Sequence, residues 1–363
     1  MTLDGSSGGG APEGGYDAFQ TPYEVDESDF PSFGTLQEQE RFLLRYAILA
    51  PSSHNTQPWK VALSDAGIAV YADAARRLPV ADPGDRELFM SIGAFLMNLR
   101  IAAAHFGFEV RTDYEFGGDF ARPVARVRLT PHAPRERVAA HLGGLFRALP
   151  ARHTNRSAFL VTRIPQHIQD ELVSLGRTSQ LALRLSCDGA MNERVADLVA
   201  SADRTLHADP SYRTELAEWV RPNWTRKPDG ITGAAFGVGT VASAIGPWAT
   251  RRLDMGRVQA IRDKNLCARA PLLAVIEGED TVAQHIEAGE LLERIWLRLT
   301  AEGLSCSFFN VALEVPDLRL NLRTLLGLRA WPQLLLRIGY SLNEPARSPR
   351  RPVDDIITGL PGR

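Results

Sequence analysis

Cysteine is scarce. Three residues, Cys187, Cys267 and Cys306, stand singly in a chain of 363 and at no metal-ligand spacing. That argues against a disulfide framework or a cysteine-based metal site, and it predicts reduced thiols buried as small fillers in a cytoplasmic protein. An excess of one charge is also missing. With 41 Lys and Arg against 43 Asp and Glu, the formal net charge is -2, which offers nothing to nucleic acid or an anionic membrane surface. No uninterrupted apolar run reaches membrane-spanning length. The opening "MTLDGSSGGGAPEGG" has no basic stretch followed by an apolar one, so a signal peptide is not expected.

What is present reads as a large α+β chain. Residues 1–35 are rich in Gly, Ser, Pro and acids, including "EVDESDF", and are expected to be a mobile tail. A helix follows, with Leu36, Phe42, Leu43, Tyr46, Ala47 and Ala50 near one face and Pro51 as its stop. The loop "PSSHNTQPW" leads into "KVALSDAGIAVYAD", a hairpin turning at Asp65 to Gly67. "SIGAFLMNLRIAAAHFGF" is apolar nearly all round, as a central helix must be. "VARVRL" then reads as a strand. Beyond Pro150 a similar order recurs, with a helix near Gln166 to Ser174, strands "LALRLS" and "PLLAVIEG", a helix from Gly289 to Glu302, and a strand "QLLLRIGY".

The two long helices match at an offset of 196: Gly93 with Gly289, Leu96 with Leu292, Gly107 with Gly303. Such an offset predicts an internal duplication, in effect a dimer fused into one chain. The expected boundaries are 36–150 for the first half and 151–363 for the second. Residues of about 203–255, with three tryptophans and a Gly-rich centre, break the repeat and read as an inserted lid. Within the lid "GVGTVA" has the look of a dinucleotide fingerprint but no strand before it.

Polar residues concentrate in three places. "APSSHNTQPW" carries Pro51, Ser52, Ser53 and Asn55. "RHTNRSAF" sets Arg152 and Arg156 four apart with Thr154 between, a pattern that suits a phosphate and equally suits a solvated basic loop. "SPRRPVDD" presents Arg350 and Arg351 on a stiff extended segment or an exposed tail. No residue set calls for a bound metal.

In this order the motifs resemble the nitroreductase-like flavoprotein superfamily, and the Arg-x-Thr-x-Arg segment opening the second half is similar to its tandem, single-chain Acg-type branch. The resemblance implies a nitroreductase-like α+β fold whose two halves imitate the homodimer. It also implies FMN between them, held by Arg152, Thr154, Arg156, Arg350 and Arg351 from one half and Pro51, Ser52, Ser53 and Asn55 from the other. Ser305, in "SCSFFN", is implied beside the flavin ring. Arg152 is expected near N1 and C2=O, where reduction builds negative charge. Gln57 and Trp59 are read as fixing the loop, and His54 and His153 as pointing away. No protein residue is assigned as catalytic, since the flavin does the chemistry.

One FMN per chain is expected, because the acidic stretch before Thr35 would repel a second phosphate and "GPWATRRLDM" lacks the Pro-Ser-Ser donors. The implied activity is two-electron transfer from NAD(P)H through FMN to a nitroaromatic or quinone-like acceptor, by a monomer whose partners are small molecules. The alternative is an FMN-storing flavoprotein in which Trp219, Trp224 or Trp248 of the lid blocks nicotinamide.

Overall fold

The computed structural model describes residues 16–131, 144–177 and 180–359. Helix α1 (Leu36–Ala47) starts at a capping box: the Thr35 hydroxyl accepts from Glu38 N at 3.3 Å while the Glu38 carboxylate accepts from Thr35 N at 2.7 Å. The hairpin follows as β1 (Trp59–Ser64) and β2 (Gly67–Ala72), joined by a two-residue turn with Gly67 at φ 105°. Then come α2 (Arg86–His105), β3 (Phe108–Tyr114) and β4 (Ala125–Pro131). The second half repeats the plan with α3 (Gln166–Leu175), β5 (Ala182–Ser186), β8 (Leu272–Gly278), α8 (Val282–Ala301), β9 (Ser305–Phe308) and β10 (Trp331–Gly339).

Both four-stranded sheets are antiparallel and share one order. The first runs β1-β2-β4-β3 and the second β5-β8-β10-β9. Counted along the chain, each places its first, second, fourth and third strand side by side, with the long helix between the second and third. The offset of 196 therefore marks equivalent helices, Arg86–His105 and Val282–Ala301, beside two sheets of one topology.

Helices α2 and α8 cross where Gly93 meets Gly289. A Cβ on Gly93 would run into the carbonyl of Ile286, and one on Gly289 into that of Met90. Met90 and Ile286 are themselves 196 apart, so the contact is reciprocal. Only glycine lets two backbones come this close. Apolar cores surround this crossing, one against each sheet, and a third lies between the second sheet and its outer helices.

Between β5 and β8 the chain builds α4 (Gly189–Ala208), α5 (Pro210–Trp219), a parallel pair β6 (Val220–Arg221) and β7 (Ile231–Thr232), α6 (Gly246–Arg252) and α7 (Gly256–Ala268). Helix α4 runs through the expected lid boundary at 203. The last outer helix is α9 (Pro316–Leu325). After β10 the chain crosses back to the first half, where Ile356 is buried in its core and Thr358 N donates to Val61 O at 2.7 Å.

The expected tail needs correction over 16–34. Tyr23 is buried and donates to Ser348 O at 2.8 Å, Tyr16 donates to Arg350 O at 2.7 Å, and Phe30 stacks on Phe106 with centroids 4.4 Å apart. Its polar composition hid these well-placed aromatics; residues 1–15 lie outside the described residues. Cys267 and Cys306 are buried as expected, whereas Cys187 is exposed. Among the described residues one helix, α2, is long and apolar enough to cross a membrane, and it is the buried helix of the crossing.

Candidate functional site

A cavity of about 550 Å³ lies where the loop after α1, the segment 152–156, the C-terminal crossing and the inserted helices meet. Its size is that of a small-molecule site, which spans roughly 300–1,000 Å³. The loop that forms one side is strained. His54, Asn55 and Gln57 all have left-handed backbones, with φ of 50°, 54° and 51°, at a cost of about 1–3 kcal/mol each.

Backbone carbonyls and one arginine from far along the chain hold that conformation. Asn55 Nδ2 donates to Gly230 O and Pro349 O, both at 3.0 Å, and Asn55 Oδ1 accepts from Arg350 Nη1 at 3.1 Å. Gln57 N donates to Ser52 Oγ at 2.9 Å, and Gln57 Nε2 to Pro228 O at 2.8 Å. Trp59 is wholly buried below. The loop is thus clamped by both the insertion and the chain's end.

Most expected residues converge here. Pro51, Ser52, Ser53, Asn55, Arg152, Thr154, Arg156 and Arg350 all line the cavity. Arg152 lies 4.7 Å from the Trp296 ring centre, donates to Leu49 O at 2.8 Å, and sits 3.3 Å from the wholly buried Glu293 carboxylate. Burial raises the Glu293 carboxyl to about 7 against the pull of Arg152. Arg350 donates to Leu49 O at 3.1 Å. Arg156 differs: its guanidinium lies over Phe236 at 5.1 Å and makes no hydrogen bond or ion pair among the described residues. Burial, then Arg262, lowers it to about 10.

Two expected residues are elsewhere. Arg351 faces away, donating to Gln57 O at 3.2 Å and Asp355 O at 2.7 Å. Neighbours in an extended segment point to opposite sides, so Arg350 and Arg351 cannot share the cavity. Ser305 accepts from Asn155 Nδ2 at 3.3 Å, and Ser307, farther along β9, lines the cavity instead. His54 and His153 also line the cavity rather than turning from it, and burial drives the His54 imidazole down to about 4, so it is neutral.

Other lining residues carry no motif. Glu87 takes the Ser53 hydroxyl as a hydrogen bond, and also accepts from Asn310 Nδ2 at 3.2 Å. Asp203, the neighbours Arg262 and Asp263, Glu314 and Arg337 arrive from four different elements. Nothing in their local sequence sets them apart.

The arginine end suits an anionic, polar-edged cofactor. Arg350 Nε and His54 Nδ1 are buried without a hydrogen-bond partner, and Arg156 faces the cavity with no ion-pair partner among the described residues, Asp263 acting on it only from a distance. Buried donors of this kind call for a partner.

Similarity to known proteins runs through both halves. A Mycobacterium tuberculosis protein named "Putative NAD(P)H nitroreductase Rv3131" is 27% identical over 335 residues, which span 88% of this chain and 91% of that one. The same organism's "Putative NAD(P)H nitroreductase acg" is 26% identical over 328 residues, 86% of this chain and 93% of its own. The chain is a relative of these nitroreductase-named proteins. Matches of this length reach across both sheets. No family model matches the chain. The solved FMN-dependent nitroreductase NfnB of Mycobacterium smegmatis, in complex with NADPH, aligns with 58% of this chain and 96% of its own at 16% identity and a TM-score of 0.37.

Proposed function

We propose that the chain is an FMN-dependent oxidoreductase that takes two electrons from NAD(P)H and delivers them to a small nitroaromatic or quinone-like acceptor. The observation that carries the reading is the meeting of residues 51–55, Arg152, Thr154, Arg156 and Arg350 on one cavity, in a relative of named NAD(P)H nitroreductases.

FMN, when bound, supplies the two-electron chemistry. Arg156, with Arg262 beside it, would hold the phosphate, and the hydroxyls of Ser52 and Thr154 would take the polar chain. Arg152 and Arg350, fixed by Leu49 O, would set positive charge against the ring edge that gains negative charge on reduction. Both are pre-oriented, so no reorganisation is needed when charge develops.

One site per chain fits the contrast between equivalent positions on the crossing helices. Ala94 leaves room beside the cavity, whereas its counterpart Glu290 is bound by Arg100 and Tyr114. The chain would then be a monomeric pseudo-dimer, cytoplasmic, with small-molecule partners only. Turnover is favoured over storage because Trp219, Trp224 and Trp248 are not among the cavity's lining residues; Trp224 and Trp248 are exposed.

Anaerobic addition of NADPH or NADH to the FMN-loaded protein tests this. Prompt bleaching of the flavin absorbance is expected. Bleaching by dithionite but not by either nicotinamide would favour storage and contradict the proposed activity.

A further inference from the structure

We propose that the cavity has a second subsite, formed by Asp203 and Glu314, that receives the protonated amine of an acceptor with an apolar or aromatic body. This rests on the arginine end being the flavin's.

Asp203 projects from α4 and Glu314 ends the short helix Val311–Glu314, and both line the cavity. Asp203 is 1% exposed and its Oδ2 has no hydrogen-bond partner; Glu314 Oε2 is likewise buried and unpartnered. Neighbouring carboxylates are already engaged. Asp82 accepts from Glu87 N and Leu88 N, both at 2.9 Å, as the N-terminal anion of α2. Glu215 accepts from Val80 N and Ala81 N at 2.9 and 2.8 Å. Glu87 is paired with Arg86 at 2.8 Å.

Asp203 and Glu314 therefore stand without an ion-pair partner among the described residues. Burial, then Glu87, raises the Glu314 carboxyl well above the usual range, with Asp82 and Asp203 adding to the push and Arg86 opposing it. Burial, then Asp263, raises Asp203 to about 8 against Arg204. Asp203 therefore holds its proton near neutral pH, and burial pushes Glu314 the same way, because neither Arg204 nor Arg86 forms an ion pair with them that offsets the loss of water. An arriving ammonium supplies the missing cation, a carboxyl ionises beside it, and its proton leaves to solvent. Leu78, Ala81, Tyr212 and Leu216 form an apolar wall of the same cavity, which suits the ligand's body.

Benzylamine and benzyl alcohol differ in the charged group and little in shape. Titration calorimetry of the FMN-loaded protein, in two buffers of different ionisation heat, should show the amine binding about tenfold tighter or more, with a buffer-dependent proton release. Asp203→Asn and Glu314→Gln should each weaken the preference and the release while FMN content is unchanged. Equal binding of the two probes, or no proton release, would overturn the subsite. This comparison on the unaltered protein decides the question even where a variant fails to fold. A protein that takes up no FMN yet prefers the amine would contradict the flavin reading and uphold the carboxyl subsite.

Discussion

The two ends of the helix crossing have the same backbone plan and opposite contents. On the cavity side, Ser91 and Ala94 of α2 leave space beside Met90, and Glu293 and Trp296 of α8 back Arg152. On the far side, the positions 196 away carry Ile286, Glu287 and Glu290 on α8 and Met97 and Arg100 on α2. There Arg100 donates to both Glu290 oxygens at 3.2 Å and to the Tyr114 hydroxyl at 2.9 Å. Small residues open one end, and a bulky ion pair fills the other. A duplicated backbone thus gives two equivalent places, and a few side chains leave one open and fill the other.

The largest effect should come from the crossing that both ends share. In Gly289→Ala the new methyl meets backbone that cannot swing aside, and the change should remove about 3 kcal/mol of stability, read as the urea midpoint at unchanged slope. An unchanged midpoint would mean that the close approach is not what fixes the two halves.

Next in size is the cavity side alone. Arg156→Ala removes a cation that makes no ion pair or side-chain hydrogen bond among the described residues, so FMN should bind roughly tenfold to a hundredfold weaker, while the melting temperature of the flavin-free protein barely moves. Equal FMN affinity would take Arg156 out of the site.

The pH response sharpens the comparison, since Glu293 occurs on the cavity side and its counterpart is Met97. Burial holds Glu293 at about 7 and Asp203 at about 8, above their values in the unfolded chain. The folded state therefore binds more protons, and stability present at low pH is lost as pH rises through these values. Burial lowers His54 and His285 to about 4; they favour the fold increasingly up to about pH 6.5 and are neutral in both states above it. Unfolding free energy should fall between about pH 6.5 and 8, less steeply in Glu293→Gln. A slope that this variant leaves unchanged would contradict the buried-acid assignment.

The smallest effect belongs to the far side. Arg100→Ala should cost about 1–2 kcal/mol, because the half-buried Glu290 loses its partner, and should leave FMN binding untouched. A loss of flavin would show that the far side also contributes to binding.

Much of this plan was legible in the sequence, and for physical reasons. Glycines 196 apart stood out because close helix crossings tolerate nothing larger. The "PSSHN" loop and the Arg-x-Thr-x-Arg segment stood out because short polar and guanidinium groups are clustered there. Helix starts were less legible: α2 begins at Arg86 and α8 at Val282, each earlier than the apolar run suggests, since first turns carry polar residues that satisfy the helix end. Strand β3 was not read beyond Phe108, which continues the helix's apolar pattern, because the residues after it are mostly polar and charged. Arg351 and Ser305 were misplaced because adjacency in sequence says nothing of which side a residue faces. Asp203 and Glu314 could not be found, for single acids on separate helices become a pair only after folding.

The most direct test of the central claim is the FMN stoichiometry of the chain, measured by absorbance after saturation and removal of excess cofactor. The account predicts one FMN per chain. Two per chain would contradict the closed far side, and none would contradict the site itself.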